Sequence, residues 1–228
     1  MKPLHYFVTA FDAFGGESVN SVEEVLENLP DSFFWKEDPS EAFFMSDNRE
    51  EAEEGHSVRL TKLLLPTSFK QSEKILEEIF QEENFDGILN LGQNAMASAV
   101  HLERVAINID DARIADNEDY KPEDAPIVID GPAAYFSKLP LRHLEAKLKN
   151  AGIPVLISNS AGTFVCNHVM YKTLDLCRKR EEKGLETIPA GFVHLPSLPL
   201  QTLAAPNRPS MALDMMVQAI EIILKNLK

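Results

Sequence analysis

Strand-like runs and amphipathic helical stripes alternate along this chain, and that alternation leaves few folds open. Residues 4–11 (LHYFVTAF) form an apolar, aromatic run that ends at Asp12. Gly15-Gly16 then turns the chain into a helix expected over about 18–29, with Val19, Val22, Val25 and Leu26 on one stripe. Strand-like runs follow at 58–65, closed by Pro66, and at 87–91. Between them lies an amphipathic helix over 68–83, with Ile75, Ile79 and Phe80 facing inward. A helix over 139–151 stops at Gly152 and leads to a strand at 155–158. A helix over 165–183 stops at Gly184 and leads to a strand at 190–195, and the last helix spans 210–227. At least five strands joined by long helices imply right-handed crossovers and a mostly parallel, twisted sheet covered on both faces, an α/β fold. No internal repeat and no linker rich in Gly, Pro or Ser interrupts this rhythm, so residues 1–228 read as a single domain. Two segments break it. Residues 34–56 are acidic and aromatic without a clear period and read as an excursion. Residues 96–136, rich in Asp, Asn and Pro, read as a long loop, and such loops are usually functional.

Charge and cysteine content narrow the function classes. With 22 Lys plus Arg against 36 Asp plus Glu, the formal charge is −14, which argues against nucleic-acid binding because phosphates need a basic face. No apolar run approaches 18 residues, so no membrane span is expected. Residues 1–14 do not read as a signal peptide, since Asp12 interrupts the apolar stretch. The two cysteines, Cys166 and Cys177, fall on one expected helix, where eleven residues separate them by about 16 Å, too far for a disulfide. Two unpaired thiols fit a reducing compartment, and a cytoplasmic location is expected.

In sheets of this kind active sites gather where strands end and helices begin. Three such junctions stand out. The first is 9–16 (TAFDAFGG) with Asn20 in the following turn. Periodicity alone favours two core phenylalanines there over an aromatic pocket, and the glycine pattern is neither a dinucleotide fingerprint nor a P-loop. The second is 158–168 (SNSAGTFVCNH), where a polar turn runs into a helix that begins near Cys166. A helix N-terminus carries about half a positive charge and free N–H groups, which stabilise a thiolate and can hold an oxyanion. A small buried hydrophobe is the commoner fate of a free cysteine, and Cys177, mid-helix, takes that reading. The third is 191–196 (GFVHLP), with His194 at the end of an apolar strand. Cys166 and His194 are suitably placed for a nucleophile and base that meet in space, whereas His168 points to another helix face. Such a pair usually has an acid that orients the imidazole, and spacing leaves Glu103, Asp110, Asp111 and Asp116 all open. The six histidines are scattered without an i, i+4 pair, so no metal site is expected.

Five collinear motifs carry a family resemblance: Phe11-x-x-Phe14-Gly15-Gly16-x-x-x-Asn20; 103–108 (ERVAIN) with 111–114 (DARI); 131–136 (GPAAYF); 161–168 (AGTFVCNH); and 191–196 (GFVHLP). In these the chain resembles pyroglutamyl peptidase type I, also called pyrrolidone-carboxylate peptidase, a family of cysteine peptidases. The resemblance implies a three-layer α/β/α sandwich and a triad of Cys166 as nucleophile, His194 as base and Glu103 as acid. It implies Arg113 beside the nucleophile, aiding the oxyanion. Phe11 and Phe14 would sandwich a substrate ring in a pocket completed by Asn20 and the surroundings of Gln93. It further implies peptides with N-terminal pyroglutamate as substrates, no cofactor, and assembly as a dimer or tetramer. The chain departs from the family pattern at Ala10, Ala13, Ser21 and 94–96, all near the expected pocket. A non-catalytic peptide- or small-molecule-binding protein on the same scaffold is the alternative reading. A nucleoside-phosphorylase-like enzyme ranks below it, having no need of a helix-terminal thiolate.

Overall fold

The computed structural model describes residues 3–36 and 55–227. A seven-stranded sheet runs in the order β2-β3-β1-β4-β9-β5-β8. Its strands are β1 (Leu4–Phe11), β2 (Ser32–Trp35), β3 (His56–Leu65), β4 (Gly87–Gln93), β5 (Val100–Glu103), β8 (Val155–Ser158) and β9 (Ala190–Leu195). Strands β6 (Val105–Ile107) and β7 (Ala134–Phe136) form a separate antiparallel pair. The helices are α1 (Ser21–Asn28), α2 (Phe69–Glu82), α3 (Leu141–Asn150), α4 (Val165–Glu182) and α5 (Leu213–Lys225).

Period-two alternation in the central strands creates two cores, because successive side chains leave opposite faces. Tyr6, Val8 and Ala10 of β1, Leu89 and Leu91 of β4, and Val193 and Leu195 of β9 pack with α1, α3 and α5. Phe7 and Phe11, Ile88, and Ala190 and Phe192 leave the same strands on the other side and pack with α2 and α4. The result is the expected three-layer α/β/α sandwich. His194 and Glu103 leave the sheet on the α4 side, two residues beyond Phe192 and one beyond Leu102 respectively.

The structure corrects three expectations. Strands β3, β1, β4 and β9 run parallel, but β5 pairs antiparallel with β9 and parallel with β8. The connection from β8 through α4 to β9 is therefore not a parallel crossover. The stretch 96–136 is not one loop, since it contains β5, β6 and β7. These strands hold three or four residues each, and β5 buries only Val100 and Leu102 on the first core, so no long apolar run announces it. The acidic stretch 34–56 begins inside β2, which pairs antiparallel with β3, and His56 already opens β3; residues 37–54 lie outside the described residues. Among the described residues no helix is long and apolar enough to cross a membrane.

Helix starts explain how the site is kept open. Asn20 caps α1 by accepting from the Val22 N–H, and Ser68 caps α2 by accepting from the Gln71 N–H. The N-cap of α4, Phe164, makes no side-chain bond, so the first N–H groups of that helix are left for something else. Gly162, with φ +82°, makes the left-handed turn that aims the chain into α4.

Candidate active site

The antiparallel pairing of β5 with β9 sets His101 opposite His194 and so carries Glu103, two residues on, onto the same face. His194 Nδ1 lies 2.8 Å from Glu103 Oε1. A carboxylate only accepts, so Nδ1–H is the donor and the other ring nitrogen is left free to face away from the acid. On that side stands Cys166, at the start of α4, which lines the same cavity as His194. Burial by itself disfavours the imidazolium. The charge and hydrogen bond of Cys166, followed by those of Glu103, outweigh it and push His194 up to about 10. Glu103 is 1% exposed, and among the described residues its Oε2 has no hydrogen-bond donor.

Cys166 and His194 open onto a cavity of about 550 Å³ walled by Phe11, Phe14, Phe164, Met96 and Arg113. Phe11 is both core and wall: it is buried in the second core yet lines the cavity. Phe14 leaves the core and packs on Phe164, ring centroids 4.9 Å apart. The expectation of two core phenylalanines thus holds for Phe11 alone. The loop of Phe14 is tied down from below, since Asp12 Oδ1 accepts from the Thr67 N–H and from Asn117 Nδ2, which also donates to the Ala13 carbonyl. Arg113 is exposed and without a carboxylate partner among the described residues. Its loop is fixed to the turn before α4 by Asp111 N–H to Thr163 O and by Thr163 Oγ1 to Asp111 O.

The remaining candidates have structural partners. Asp110 meets His168 Nδ1 at 2.8 Å, Asp116 accepts the Phe69 N–H at the start of α2, and Asp111 is exposed, so of the four open acids only Glu103 reaches His194. His168 faces Asp110 and Glu73, away from the cavity. Asn20 and Gln93 line the cavity, but their amides are engaged. Asn20 donates to the Asp12 carbonyl besides capping α1. Gln93 accepts from the Ser21 N–H and from Gln201 Nε2, and donates to Ser197 Oγ. These bonds fix both amides in place in the cavity wall. Cys177 is buried and unpaired, and burial pushes its thiol up to about 12. Among the described residues no three His, Cys, Asp or Glu side chains group to hold a metal ion. Sequence reasoning assigned no role to Phe164, although an aromatic residue directly before the nucleophile-bearing turn was visible, nor to Gln201, which carried no signal at all.

Comparison with known proteins decides the family. The family model described as pyroglutamyl peptidase matches residues 38–227. The chain belongs to the pyroglutamyl peptidase family. It is 45% identical over 223 residues to pyrrolidone-carboxylate peptidase 1 of Caldanaerobacter subterraneus subsp. tengcongensis, covering 97% of each chain. It is 40% identical to the pyrrolidone-carboxylate peptidase of Clostridium perfringens, covering 97% of this chain and 92% of that one. The crystal structure of pyroglutamyl peptidase I from Bacillus amyloliquefaciens superimposes with a TM-score of 0.82 at 32% identity, covering 99% of this chain and 95% of that one. This family member is accordingly a cysteine exopeptidase.

Proposed function

We propose that the chain removes pyroglutamate from peptide N-termini with Cys166 as nucleophile, His194 as acid and base, and Glu103 as the group that orients His194. One observation carries the reading: a single buried imidazole is bonded to Glu103, is raised by the charge of Cys166, and shares an aromatic cavity with it. Pyroglutamate is a flat, neutral lactam, a shape that suits the faces of Phe11 and Phe14.

The Cys166 thiolate attacks the pyroglutamyl carbonyl carbon, and the C=O electron pair moves onto oxygen. The Cys166 N–H, in the uncapped first turn of α4, and the Arg113 guanidinium stabilise that oxyanion. His194, held as the imidazolium, gives its proton to the leaving amine as the C–N bond breaks. The pyroglutamyl group remains on Cys166 as a thioester. The now neutral His194 takes a proton from water, whose oxygen attacks the thioester and releases pyroglutamate and the thiolate. Glu103 holds one imidazole tautomer throughout.

The unpaired Cys166 and Cys177 suit a cytoplasmic setting. Self-association as a dimer or tetramer belongs to the same proposal, with Ile129 and Phe136, 79% and 69% exposed, as apolar surface for it. Light scattering measures the assembly. The catalytic reading is tested with a pyroglutamyl-coumarin amide, whose hydrolysis is expected before treatment with iodoacetamide and not after it. A non-catalytic binding protein would bind this compound and release no coumarin.

A further inference from the structure

Gly92 stands on β4 directly opposite His194 on β9 in the parallel ladder. Side chains of paired residues leave the same face, so a side chain at 92 would stand beside the imidazole, on the side of the sheet that α4 covers. A Cβ built there meets Phe192 Cζ at 2.7 Å, Phe192 Cε1 at 2.8 Å and Cys166 Sγ at 2.9 Å. All three distances fall below van der Waals contact. Gly92 lies inside a regular strand without the positive φ that favours glycine, so backbone freedom does not account for its presence. What it supplies is space, and Sγ occupies part of that space.

We propose that Gly92 is a positioning residue: the missing side chain is the seat that holds Cys166 Sγ against His194. Adding one methyl at 92 forces two neighbours to move. The Phe192 ring is packed in the second core, against Phe11 and His194. Cys166 is the softer neighbour, because its thiol can turn about χ1 to another staggered position. Turning it takes Sγ away from His194. An error of about 1 Å in a reacting group costs about 10²-fold in rate. The loss falls on kcat, since the aromatic walls that would hold the substrate are left in place.

The proposal rests on the catalytic reading above, so its test includes a readout that needs no substrate. In Gly92→Ala, kcat for the pyroglutamyl-coumarin amide is expected to fall at least about 100-fold with KM within about threefold of wild type. The pH profile of Cys166 alkylation by iodoacetamide is expected to move alkaline, because the thiol has lost its imidazolium partner. The double variant Gly92→Ala/Phe192→Leu removes the ring clash and keeps the clash with Sγ. It is expected to regain thermal stability while kcat stays low and the alkylation profile stays shifted, relative to Phe192→Leu alone. Gly92→Ala with wild-type kcat, or a double variant as active as Phe192→Leu, overturns the proposal and makes Gly92 a core-packing residue only. A double variant that does not fold overturns it too, because contact with a rotatable thiol should not prevent folding. If wild type does not hydrolyse the substrate, the catalytic reading fails, while the alkylation profiles still decide the role of Gly92.

Discussion

Replacing His194 with Ala should damage folding as well as chemistry, and the structure gives the size. Glu103 is 1% exposed, and among the described residues its Oε1 is held only by His194 Nδ1 at 2.8 Å and its Oε2 has no donor. The neighbouring His101 is no ready replacement cation, since burial holds it below its ordinary value. Removing the imidazole therefore leaves a carboxylate in the interior without a partner. Breaking a buried pair in this way costs about 3–5 kcal/mol. For a chain of 228 residues, each kcal/mol moves the melting temperature by about 2–4 °C, so a fall of about 6–20 °C is expected. The assay is thermal unfolding followed by circular dichroism at neutral pH, on wild type, His194→Ala and His194→Ala/Glu103→Gln. The double variant no longer buries a charge and should recover at least half of the loss, the remainder being the cavity left by the ring. A fall under about 2 °C in the single variant, or a double variant no better than the single, would refute the claim that Glu103 depends on His194 for its compensation.

Three other outcomes follow from the same geometry. Glu103→Gln should lower kcat by up to about 10⁴-fold, because an amide does not hold the required tautomer, and steady-state kinetics on the folded variant checks this; a crippled Asp116→Asn beside a mild Glu103→Gln would reassign the acid. His194 should titrate near pH 10 by NMR in wild type and clearly lower in Cys166→Ser, because the thiolate charge is the leading cause that raises it. A raised histidine contributes stability that is complete below its ordinary value of 6.5 and is lost as pH rises through about 10, so the decline in stability across that window should flatten in Cys166→Ser. Finally, kcat/KM for pyroglutamyl-coumarin amide should exceed that for the prolyl and glutaminyl analogues by about 10⁴ or more, since both carry a charged amine into an aromatic slot and proline lacks the lactam carbonyl; comparable rates for any two would sink the lactam-pocket argument.

What the sequence revealed and what it hid divide along physical lines. Strands β1, β8 and β9 have the bounds that their apolar runs suggested, and α2 begins after Ser68, because local pattern and tertiary environment agree there. Strand β5 escaped notice because half of its four residues, His101 and Glu103, face the site rather than the core. The reversal of β8 was hidden for a different reason: strand direction is set by how the strand docks, and no residue in 155–158 encodes it. In the site, the position of Cys166 after a polar turn and of His194 at a strand end could be read locally. The acid could not, because four carboxylates were equally plausible until β5 paired with β9. Asn20 and Gln93 line the cavity, but their engagement with Val22, Ser21, Ser197 and Gln201 depends on partners up to 108 residues away. Gly92 gives no such signal, since a residue whose contribution is empty space leaves no chemical signature.

The proposed nucleophile is Cys166, not Cys177. The most direct measurement compares hydrolysis of the pyroglutamyl-coumarin amide by folded Cys166→Ser and Cys177→Ala under identical conditions. No turnover above background is expected for Cys166→Ser, and wild-type turnover for Cys177→Ala. Turnover of Cys166→Ser at the wild-type rate would contradict that assignment.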